Sequence, residues 1–336
     1  MIYLLIAVIL VTAELFYFRI ARKCNIIDRP NERSSHTKEV TRGGGIIFLF
    51  AIWIWCVFFG LNYPWFAAAV TVASLFSFVD DNHSLLATVR LVVQFIAMGL
   101  MLYSIMANSE WFMVQDKYMK VLIFAVMLMV FVGATNIYNF MDGINGITVG
   151  YSMVVLLPLF FINRELMFVD ESLIVVVIMA CVVFGFFNFR PKGKAKCFAG
   201  DVGAIGIAFI LLFMIGMLIM RTADVTWMVL LVVYGVDGFL TICHRIMLHE
   251  NIIRAHRKHA YQLMANELKI GHLKVSGFYM LLQLVISTVF IWLIPCNLQA
   301  HWLYLAAVVV VLSTAYILFV KKYYYLHEEY LAGLKE

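Results

Sequence analysis

Long apolar runs separated by short polar segments extend from one end of the chain to the other. Each run has about 17 to 20 residues, the length that an α-helix needs to cross a hydrocarbon layer of ~30 Å. The pattern predicts an all-α polytopic membrane protein with about eleven transmembrane helices. These cover 2–20, 43–60, 65–80, 88–106, 118–137, 146–162, 172–188, 202–220, 225–243, 275–294 and 302–320.

Composition supports this interpretation and excludes an ordinary soluble globular protein. The chain has 336 residues, of which 64% are hydrophobic and only 13% are charged. We predict one integral membrane domain over 1–336, with 244–274 as a basic, histidine-containing cytoplasmic loop within it. The six cysteines are scattered without C-x-x-C spacing, and we expect them to be reduced.

Basic residues lie almost entirely on one side of the predicted topology. An odd number of spans places the termini on opposite sides, and 21 of the 25 basic residues then fall on the side of the C-terminus. The exceptions are Lys117, Lys120, Arg164 and Arg221. The positive-inside rule makes the first side cytoplasmic, so we predict an external N-terminus and a cytoplasmic C-terminus. This asymmetry accounts for the net charge of +5 without nucleic-acid binding.

The polar motifs fall on the same, cytoplasmic side. They are Asp80 and Asp81, the stretch from Asn136 to Gly146, and Asp201, and eight of the nine histidines accompany them, all except His301. Transporters tend to place essential polar groups near mid-membrane or along a path through it. The pattern favours chemistry on a lipid substrate at the cytoplasmic surface. A transporter of an anionic solute and an intramembrane aspartyl protease are the alternatives.

The stretch N-I-Y-N-F-M-D-G-I-N-G follows directly on an apolar run. If the helix continued through it, Asn136, Asn139 and Asp142 would spread over about one third of its circumference. Gly143 and Gly146 loosen the backbone beyond. Two carboxamides and a carboxylate at the end of an apolar helix indicate a polar ligand or ion, and a helix end with satisfied polar caps is the alternative.

Three carboxylates occupy the ends of two other predicted spans. Asp80 and Asp81 end the third span, where adjacent like charges are tolerated beside a divalent cation or a basic partner. Asp201 begins the eighth span after the basic loop 190–196 and between glycines, which suits either a metal-phosphate site or a simple N-cap. These positions indicate magnesium-phosphate chemistry.

Two loops and two intramembrane acids complete the candidates. The segment A-H-R-K-H-A-Y-Q places His256 and His259 close together without a zinc-binding pattern, so phosphate recognition is favoured over a merely solvated basic loop. Three glycines after the first cytoplasmic loop suit either an anion or close helix packing. Glu14 lies inside a span without a predicted role, and Asp237, in the ninth span above Arg245, is expected to pair locally.

In this order, the motifs resemble those of the polyprenyl-phosphate N-acetylaminosugar-1-phosphate transferases. That superfamily includes the phospho-MurNAc-pentapeptide translocase and the GlcNAc-1-phosphate initiators of O-antigen and teichoic acid. Asp80-Asp81 with Leu85 resembles its D-D-x-x-x-L block, Asn136 to Gly146 its N-x-x-N-x-x-D-G-x-x-G block, and Lys196 to Gly203 its K-x-F-x-G-D-x-G block. The R-S-S-H and H-R-K-H-A-Y-Q loops most resemble the O-antigen branch that uses sugars such as FucNAc or QuiNAc.

The resemblance implies that undecaprenyl phosphate attacks the β-phosphorus of a UDP-N-acetylhexosamine and releases UMP. Asp201 would hold Mg²⁺, which Mn²⁺ can replace. Asp80 and Asp81 would be catalytic residues that position or activate the lipid phosphate, with a share in the metal site. The substrate-binding residues would be His36, Arg42, Arg90, Asn136, Asn139, Asp142, Lys196, His256, Arg257 and His259. A bacterial inner-membrane location among membrane lipids, and a homodimer as one compatible assembly, are further expectations.

Overall fold

The computed structural model describes residues 1–28, 39–83, 85–107, 109–251 and 256–333. Within them the chain is helical almost throughout, and its α-helices are numbered in chain order. They are α1 (Ile2–Lys23), α2 (Ile47–Phe59), α3 (Pro64–Asn82), α4 (Ala87–Ala107), α5 (Glu110–Met113), α6 (Lys117–Phe140), α7 (Ile147–Leu166), α8 (Glu171–Asn188), α9 (Gly200–Thr222), α10 (Val232–Met247), α11 (Ala260–Gln262), α12 (His272–Trp292) and α13 (Leu298–Gly333).

The predicted all-α polytopic membrane architecture is confirmed. In the described part of the chain, 9 helical segments are long and apolar enough to cross a membrane. One of them, Val225–Met247, joins a 3₁₀ segment, Val225–Leu231, to α10. The remaining two of the eleven predicted spans correspond to the shorter apolar segment Gly44–Phe59 and to α3.

Helix α9 forms the centre of the bundle. Its apolar 18-residue window is 100% buried, whereas the corresponding share for α13 is 11%. Helices α2, α3, α4, α6 and α7 all pack against α9. Because neighbours cover α9 on every side, its N-terminal turn, which carries Asp201, is held at a fixed position among them.

Glycines allow the segment before α2 to cross α9 closely. A Cβ added to Gly45 would overlap the backbone of Gly203, and one added to Gly203 would overlap Gly45. The amides of Gly44 and Gly45 donate to the carbonyls of Phe198 and Ala199, at 2.9 and 3.1 Å. These two amides are therefore used in backbone pairing, and close packing is the role that the structure gives to the glycine triplet.

A short β-hairpin connects the loop that follows α1 to the segment that precedes α9. Strand β1 (Ile27–Asp28) pairs antiparallel with strand β2 (Val40–Thr41). The amide of Phe198 donates to the carbonyl of Thr41 at 2.9 Å. This pairing places Arg42, which follows β2 directly, beside the N-terminal turn of α9.

The C-terminal part of α13 braces the loop that carries the histidines. Glu250 forms an ion pair with Lys258, while Glu267 accepts from Arg257 at 3.1 Å and contacts the ring nitrogen of His327 at 3.0 Å. Glu267 belongs to a π-helical turn, Leu263–Glu267, that follows α11. The loop is thus tied to the bundle through buried ionic contacts.

Candidate active site

Four carboxylates and four carboxamides line one polar cleft at one end of the helix bundle. Its cavity holds about 210 Å³. The lining residues are Asp28, Arg42, Asp81, Asn139, Asp142, Gly143, Ile144, Asn145, Asn188, Phe198, Gly200, Asp201, Gln262 and His272. Five of them are predicted site residues: Arg42 after β2, Asp81 on α3, Asn139 on α6, Asp142 in the turn after α6, and Asp201 on α9.

Asp81 is fixed at the cleft by a cation and a backbone amide. Arg42 donates to the main-chain oxygen of Asp81 at 2.6 Å, and its Nε lies 3.8 Å from the Oδ1 atom of Asp81. Arg42 also reaches Asp28 at 3.3 Å. The amide of Val202, in the first turn of α9, donates to the Oδ2 atom of Asp81 at 3.2 Å. The predicted binding residue Arg42 therefore orients a predicted catalytic carboxylate.

Asp201 receives a hydrogen bond from the side chain of Asn139 and lies within the electrostatic influence of Asp80, Arg90 and Arg42. Asp201 in turn repels the charge on Asp81. Carboxylates that repel each other across a cleft favour a bound cation, because a cation lowers the repulsion for both. The N-terminal turn of α9 thus does more than cap a helix.

Asp142 reaches the cleft from a turn, so the helical arrangement considered for Asn136, Asn139 and Asp142 does not extend to it. Helix α6 ends at Phe140, and the amide of Asp142 donates to the carbonyl of Asn139 at 3.1 Å. Thr148 donates to the Asp142 carboxylate. Burial, helped by the negative charge of Asp201 and opposed by the Thr148 hydrogen bond, raises the pKa of Asp142 to about 7.

A second, largely apolar pocket of about 240 Å³ adjoins the cleft. Asn139 and Asp201 line both spaces and form the boundary between them. The lining residues are Ala73, Phe76, Ser77, Asp80, Ala87, Arg90, Leu91, Val93, Gln94, Asn136, Asn139, Phe140, Asp201, Ile205 and Ile242.

The polar groups of this second pocket hold one another in place. Arg90 donates to Asp80 at 3.1 Å, and the other carboxylate oxygen of Asp80 accepts from the amide of Leu85 at 2.8 Å. Asn136 donates to Gln94 at 2.9 Å and thereby joins α6 to α4. Asp80 and Arg90 thus present a fixed pair of opposite charges in an otherwise apolar space.

The predicted histidine pair lies beside the second pocket, not on the walls of either space. The rings of His256 and His259 stack with their centroids 5.0 Å apart, and both lie about as near to the ring of Phe140, at 6.2 and 6.3 Å. Burial and the neighbouring positive charges lower the pKa of His256 to about 2, so its ring is neutral. Arg257 is engaged by Glu267 at 3.1 Å.

The remaining predicted binding residues lie elsewhere. Lys196 is exposed and lines a separate basic pocket that also contains Arg22, Arg190 and Lys194. His36 falls outside the described residues. The structure thus places Arg42 in the cleft and Arg90 in the second pocket, but it separates Lys196 from both.

Five cleft residues with polar side chains were not among the predicted site residues: Asp28, Asn145, Asn188, Gln262 and His272. Asn188 accepts from the amide of Gly146 at 2.8 Å and donates to the carbonyl of Cys197 at 2.9 Å, which closes one wall. The amide of Asn145 donates to the Nδ1 atom of His272 at 3.3 Å. Asn145 and Gln262 belong to motifs that the sequence singled out. No sequence pattern marks Asp28 or His272.

The donor set of the cleft fits Mg²⁺ that shares its ligands with a substrate. No group of three or more His, Cys, Asp and Glu side chains that could hold a metal occurs among the described residues. Mg²⁺ commonly uses only one or two carboxylates together with phosphate oxygens and waters. Asp201, with Asp81 opposite, meets that requirement once a diphosphate supplies further oxygens.

Comparison with known proteins bears on the same part of the chain. Residues 63–220 match the model of glycosyl transferase family 4. That range contains Asp80, Asp81, the stretch from Asn136 to Gly146, and Asp201, and it ends before the histidine loop. Four of the five carboxylates of the two pockets therefore lie within the matched region, and Asp28 lies outside it.

Two relatives extend the comparison. A probable undecaprenyl-phosphate N-acetylglucosaminyl 1-phosphate transferase of Bacillus subtilis is 26% identical over 297 residues, which cover 82% of this chain and 81% of that protein. A phospho-N-acetylmuramoyl-pentapeptide-transferase of Deinococcus radiodurans is 36% identical over 80 residues, 23% of this chain and 22% of that protein. The matches confirm the resemblance seen in the motifs, which is to the polyprenyl-phosphate N-acetylhexosamine-1-phosphate transferase superfamily.

Proposed function

We propose that this protein transfers an N-acetylhexosamine-1-phosphate group from a UDP-sugar to undecaprenyl phosphate and releases UMP. One observation carries the proposal. A polar cleft rich in carboxylates and amides meets an apolar pocket at Asn139 and Asp201. A reaction between a water-soluble nucleotide and a membrane lipid requires two such spaces in contact, with the reacting phosphates at their boundary.

The lipid phosphate belongs in the second pocket. The apolar walls there suit the first isoprene units, and Arg90 supplies a cation for the phosphate. Asp80 orients Arg90 through the 3.1 Å ion pair. Because Asp80 also accepts from Leu85, it is already engaged as an acceptor, and we assign it to positioning ahead of proton removal.

The nucleotide diphosphate belongs in the polar cleft. An oxygen of the lipid phosphate forms a bond to the β-phosphorus, and the bond from that phosphorus to the bridging oxygen breaks, so that UMP leaves with the electron pair. A phosphate monoester is mostly anionic near pH 7 because its second pKa is about 6, and little proton transfer is therefore needed. Arg42 and Arg90 offset the charge of two approaching phosphates.

Mg²⁺ at Asp201, with Asp81 and Asp142 nearby, would neutralise charge on the diphosphate. Asn139 holds the Asp201 carboxylate, and Val202 together with Arg42 holds the Asp81 carboxylate. This chain's own residues thus keep the acidic groups apart and oriented before any ligand enters, which lowers the reorganisation required during reaction.

The biological setting follows from the same proposal. The sugar is FucNAc, QuiNAc, GlcNAc or a similar N-acetylhexosamine, and the lipid-linked product begins an O-antigen or a related surface polysaccharide. The clustering of basic residues on one side supports a cytoplasmic active site in a bacterial inner membrane, with the N-terminus outside.

The proposal is tested with the purified full-length protein in detergent or nanodiscs. The protein is incubated with undecaprenyl phosphate and a panel of UDP-N-acetylhexosamines, and released UMP is quantified. We expect release with at least one sugar, loss of release in EDTA, and recovery when Mg²⁺ or Mn²⁺ is added in excess. Absence of UMP release with every sugar would reject the transferase assignment, and release that survives EDTA would reject the metal.

A further inference from the structure

Asp237 is a buried carboxylate that the proposed reaction does not use. It lies in α10, inside an apolar span, and is only 4% exposed. The expected local pairing does not involve Arg245, which instead binds Glu250 at 3.1 Å. A carboxylate inside a membrane protein is expensive unless donors surround it, and such residues mark functional positions by default.

Four donors from three parts of the fold surround Asp237. Its Oδ2 atom accepts from the hydroxyl of Tyr279 on α12 at 2.5 Å. Its Oδ1 atom accepts from the amide of Ala260 at 3.1 Å and from Thr241 at 3.2 Å, and lies 3.3 Å from the Nδ1 atom of His259. Since an ionised carboxylate only accepts, all four neighbours are arranged as donors to it.

The segment held by Asp237 reaches the cleft. The amide of His259 donates to the side-chain oxygen of Gln262 at 3.3 Å, and Gln262 lines the cleft. The next residue after Ala260, Tyr261, donates to the carbonyl of Phe140 at 2.9 Å and leaves no room for a side chain at Gly143. Asp237 therefore anchors α11 against the turn that carries Asp142.

The same contact sets the hydrogen position on the His259 ring. Because Nδ1 faces an acceptor, it carries the proton, and Nε2 is the ring atom that remains for another partner. His259 is 1% exposed, and its Nε2 atom has no hydrogen-bond partner among the described residues. A buried polar atom without a partner is unfavourable and is readily explained by a ligand that completes it.

We propose that Asp237 is a positioning residue for the nucleotide sugar. It holds His259 with Nδ1 protonated, which leaves the covered Nε2 atom as an acceptor for a polar atom of a nucleoside diphosphate sugar, and it keeps Gln262 on the cleft wall. Because the ring lines neither pocket, the substrate must displace part of its cover to reach that atom. The inference rests on the proposed function. It adds a residue that acts through His259 and touches neither substrate.

The test is a double-mutant cycle in the full-length enzyme with Asp237→Asn, His259→Gln and the combined variant. We expect each single variant to raise the KM for the UDP-sugar roughly tenfold, as loss of such an orienting partner typically does. We expect the KM for undecaprenyl phosphate to change less than twofold. The combined variant should be no worse than His259→Gln alone, because Asp237 acts through that ring.

Tyr316→Phe is the matched control, since it removes a buried hydroxyl that contacts Thr241 but not Asp237. We expect its KM for the UDP-sugar to equal that of the wild type. If Asp237→Asn does not accumulate, Tyr279→Phe replaces it, with an expected two- to threefold rise that vanishes in the His259→Gln background.

Multiplicative effects of Asp237→Asn and His259→Gln, or a fall in kcat with unchanged KM values, would overturn the inference in favour of a purely structural role. For the same set of variants, the rise in melting temperature on adding the UDP-sugar is also measured. Stabilisation without any UMP release would reject the proposed function alone. Additive losses of stabilisation would reject the role of Asp237 alone.

Discussion

Asp201 combines two demands that usually occur separately. A negative charge in the first turn of a helix is favoured by the helix dipole, whereas burial among other carboxylates opposes it. Asp201 lies on the boundary between the two pockets. Capping of the helix does not by itself explain that position. The position of this negative charge is best explained by a cation that binds together with the substrates.

Asp201→Asn is expected to abolish turnover, with a loss of at least about 100-fold, because an amide is a poor substitute for a charged metal ligand. UMP release measures the effect, and the melting temperature checks the fold. Asp170→Asn is the matched control. Asp170 caps α8 by accepting from the amide of Ser172 at 3.0 Å, on the predicted external side. Wild-type turnover in Asp201→Asn would exclude the metal assignment.

His256 should make stability depend on pH. Burial, together with the positive charges nearby, lowers its pKa from 6.5 to about 2. Below pH 6.5 the unfolded chain binds a proton that the folded protein does not, so acidification favours unfolding. Between pH 7.5 and pH 5.5 we expect His256→Gln to lose about 1 kcal/mol less stability than the wild type.

Melting curves in detergent at the two pH values measure this difference. The exposed His249 supplies the control, because His249→Gln should show the pH dependence of the wild type. Equal pH dependence of the wild type and His256→Gln would show that the ring of His256 is not held neutral by its surroundings.

At the residue scale, the sequence singled out four of the five pocket carboxylates and several of their partners, but it missed other residues of the cleft. Asp81 and Asp201 stand at the ends of apolar runs, where charge is costly and therefore conspicuous. His272 reaches the cleft through Asn145, a residue 127 positions away, and no local pattern encodes that contact. Contacts between distant segments depend on helix packing, which apolar periodicity does not specify.

The closest crossing of two elements in the site is the one between the turn at Gly45 and helix α9 at Gly203. Here the backbones touch without side chains between them. Any added atom must separate the elements and thereby move Asp201, two residues before Gly203. Changes in packing at this point should therefore affect the cleft, because the crossing fixes the first turn of α9, which lines it.

Gly203→Ala is expected to destabilise the protein by about 1–3 kcal/mol through overpacking and to reduce turnover. Gly133→Ala is the matched control because a Cβ there meets nothing within 4 Å. It lies in α6, where alanine in place of glycine favours the helix by up to about 1 kcal/mol. Melting temperature and UMP release measure both variants. Equal stability of the two would mean that the crossing tolerates a methyl group.

At the element scale, helix positions followed from the sequence and helix ends followed less well. The predicted 118–137 helix is observed as Lys117–Phe140, because polar residues continue the helix beyond the apolar run. The interruption before α10, where a 3₁₀ segment precedes the regular helix, has no hydropathic signature. Apolar length identifies a span, whereas its ends depend on hydrogen bonds that the pattern does not contain.

At the scale of the whole molecule, the predicted topology can be tested with natural cysteines. Cys24 follows α1 and Cys296 precedes α13, and both are exposed. A membrane-impermeant thiol reagent added to intact spheroplasts should label Cys296 and spare Cys24. Labelling should therefore disappear in Cys296→Ser and persist in Cys24→Ser. After lysis Cys24 should react as well.

The opposite labelling pattern would place the carboxylate cleft outside the membrane, away from a cytoplasmic pool of UDP-sugar. Because the sequence alone assigned the sides, through 21 of 25 basic residues, this experiment tests the charge argument independently of the chemistry.

The complete enclosure of α9 has a consequence for biosynthesis. A helix without a lipid-facing surface gains nothing from remaining dispersed in the bilayer, and its small residues favour immediate association. Its partners α2, α3, α4, α6 and α7 all precede it in the chain, whereas the 3₁₀ segment Val225–Leu231, which also contacts α9, follows it. When the ribosome delivers α9, most of the helices that surround it have already been synthesised, so we expect the carboxylates of the cleft to come together as that helix inserts.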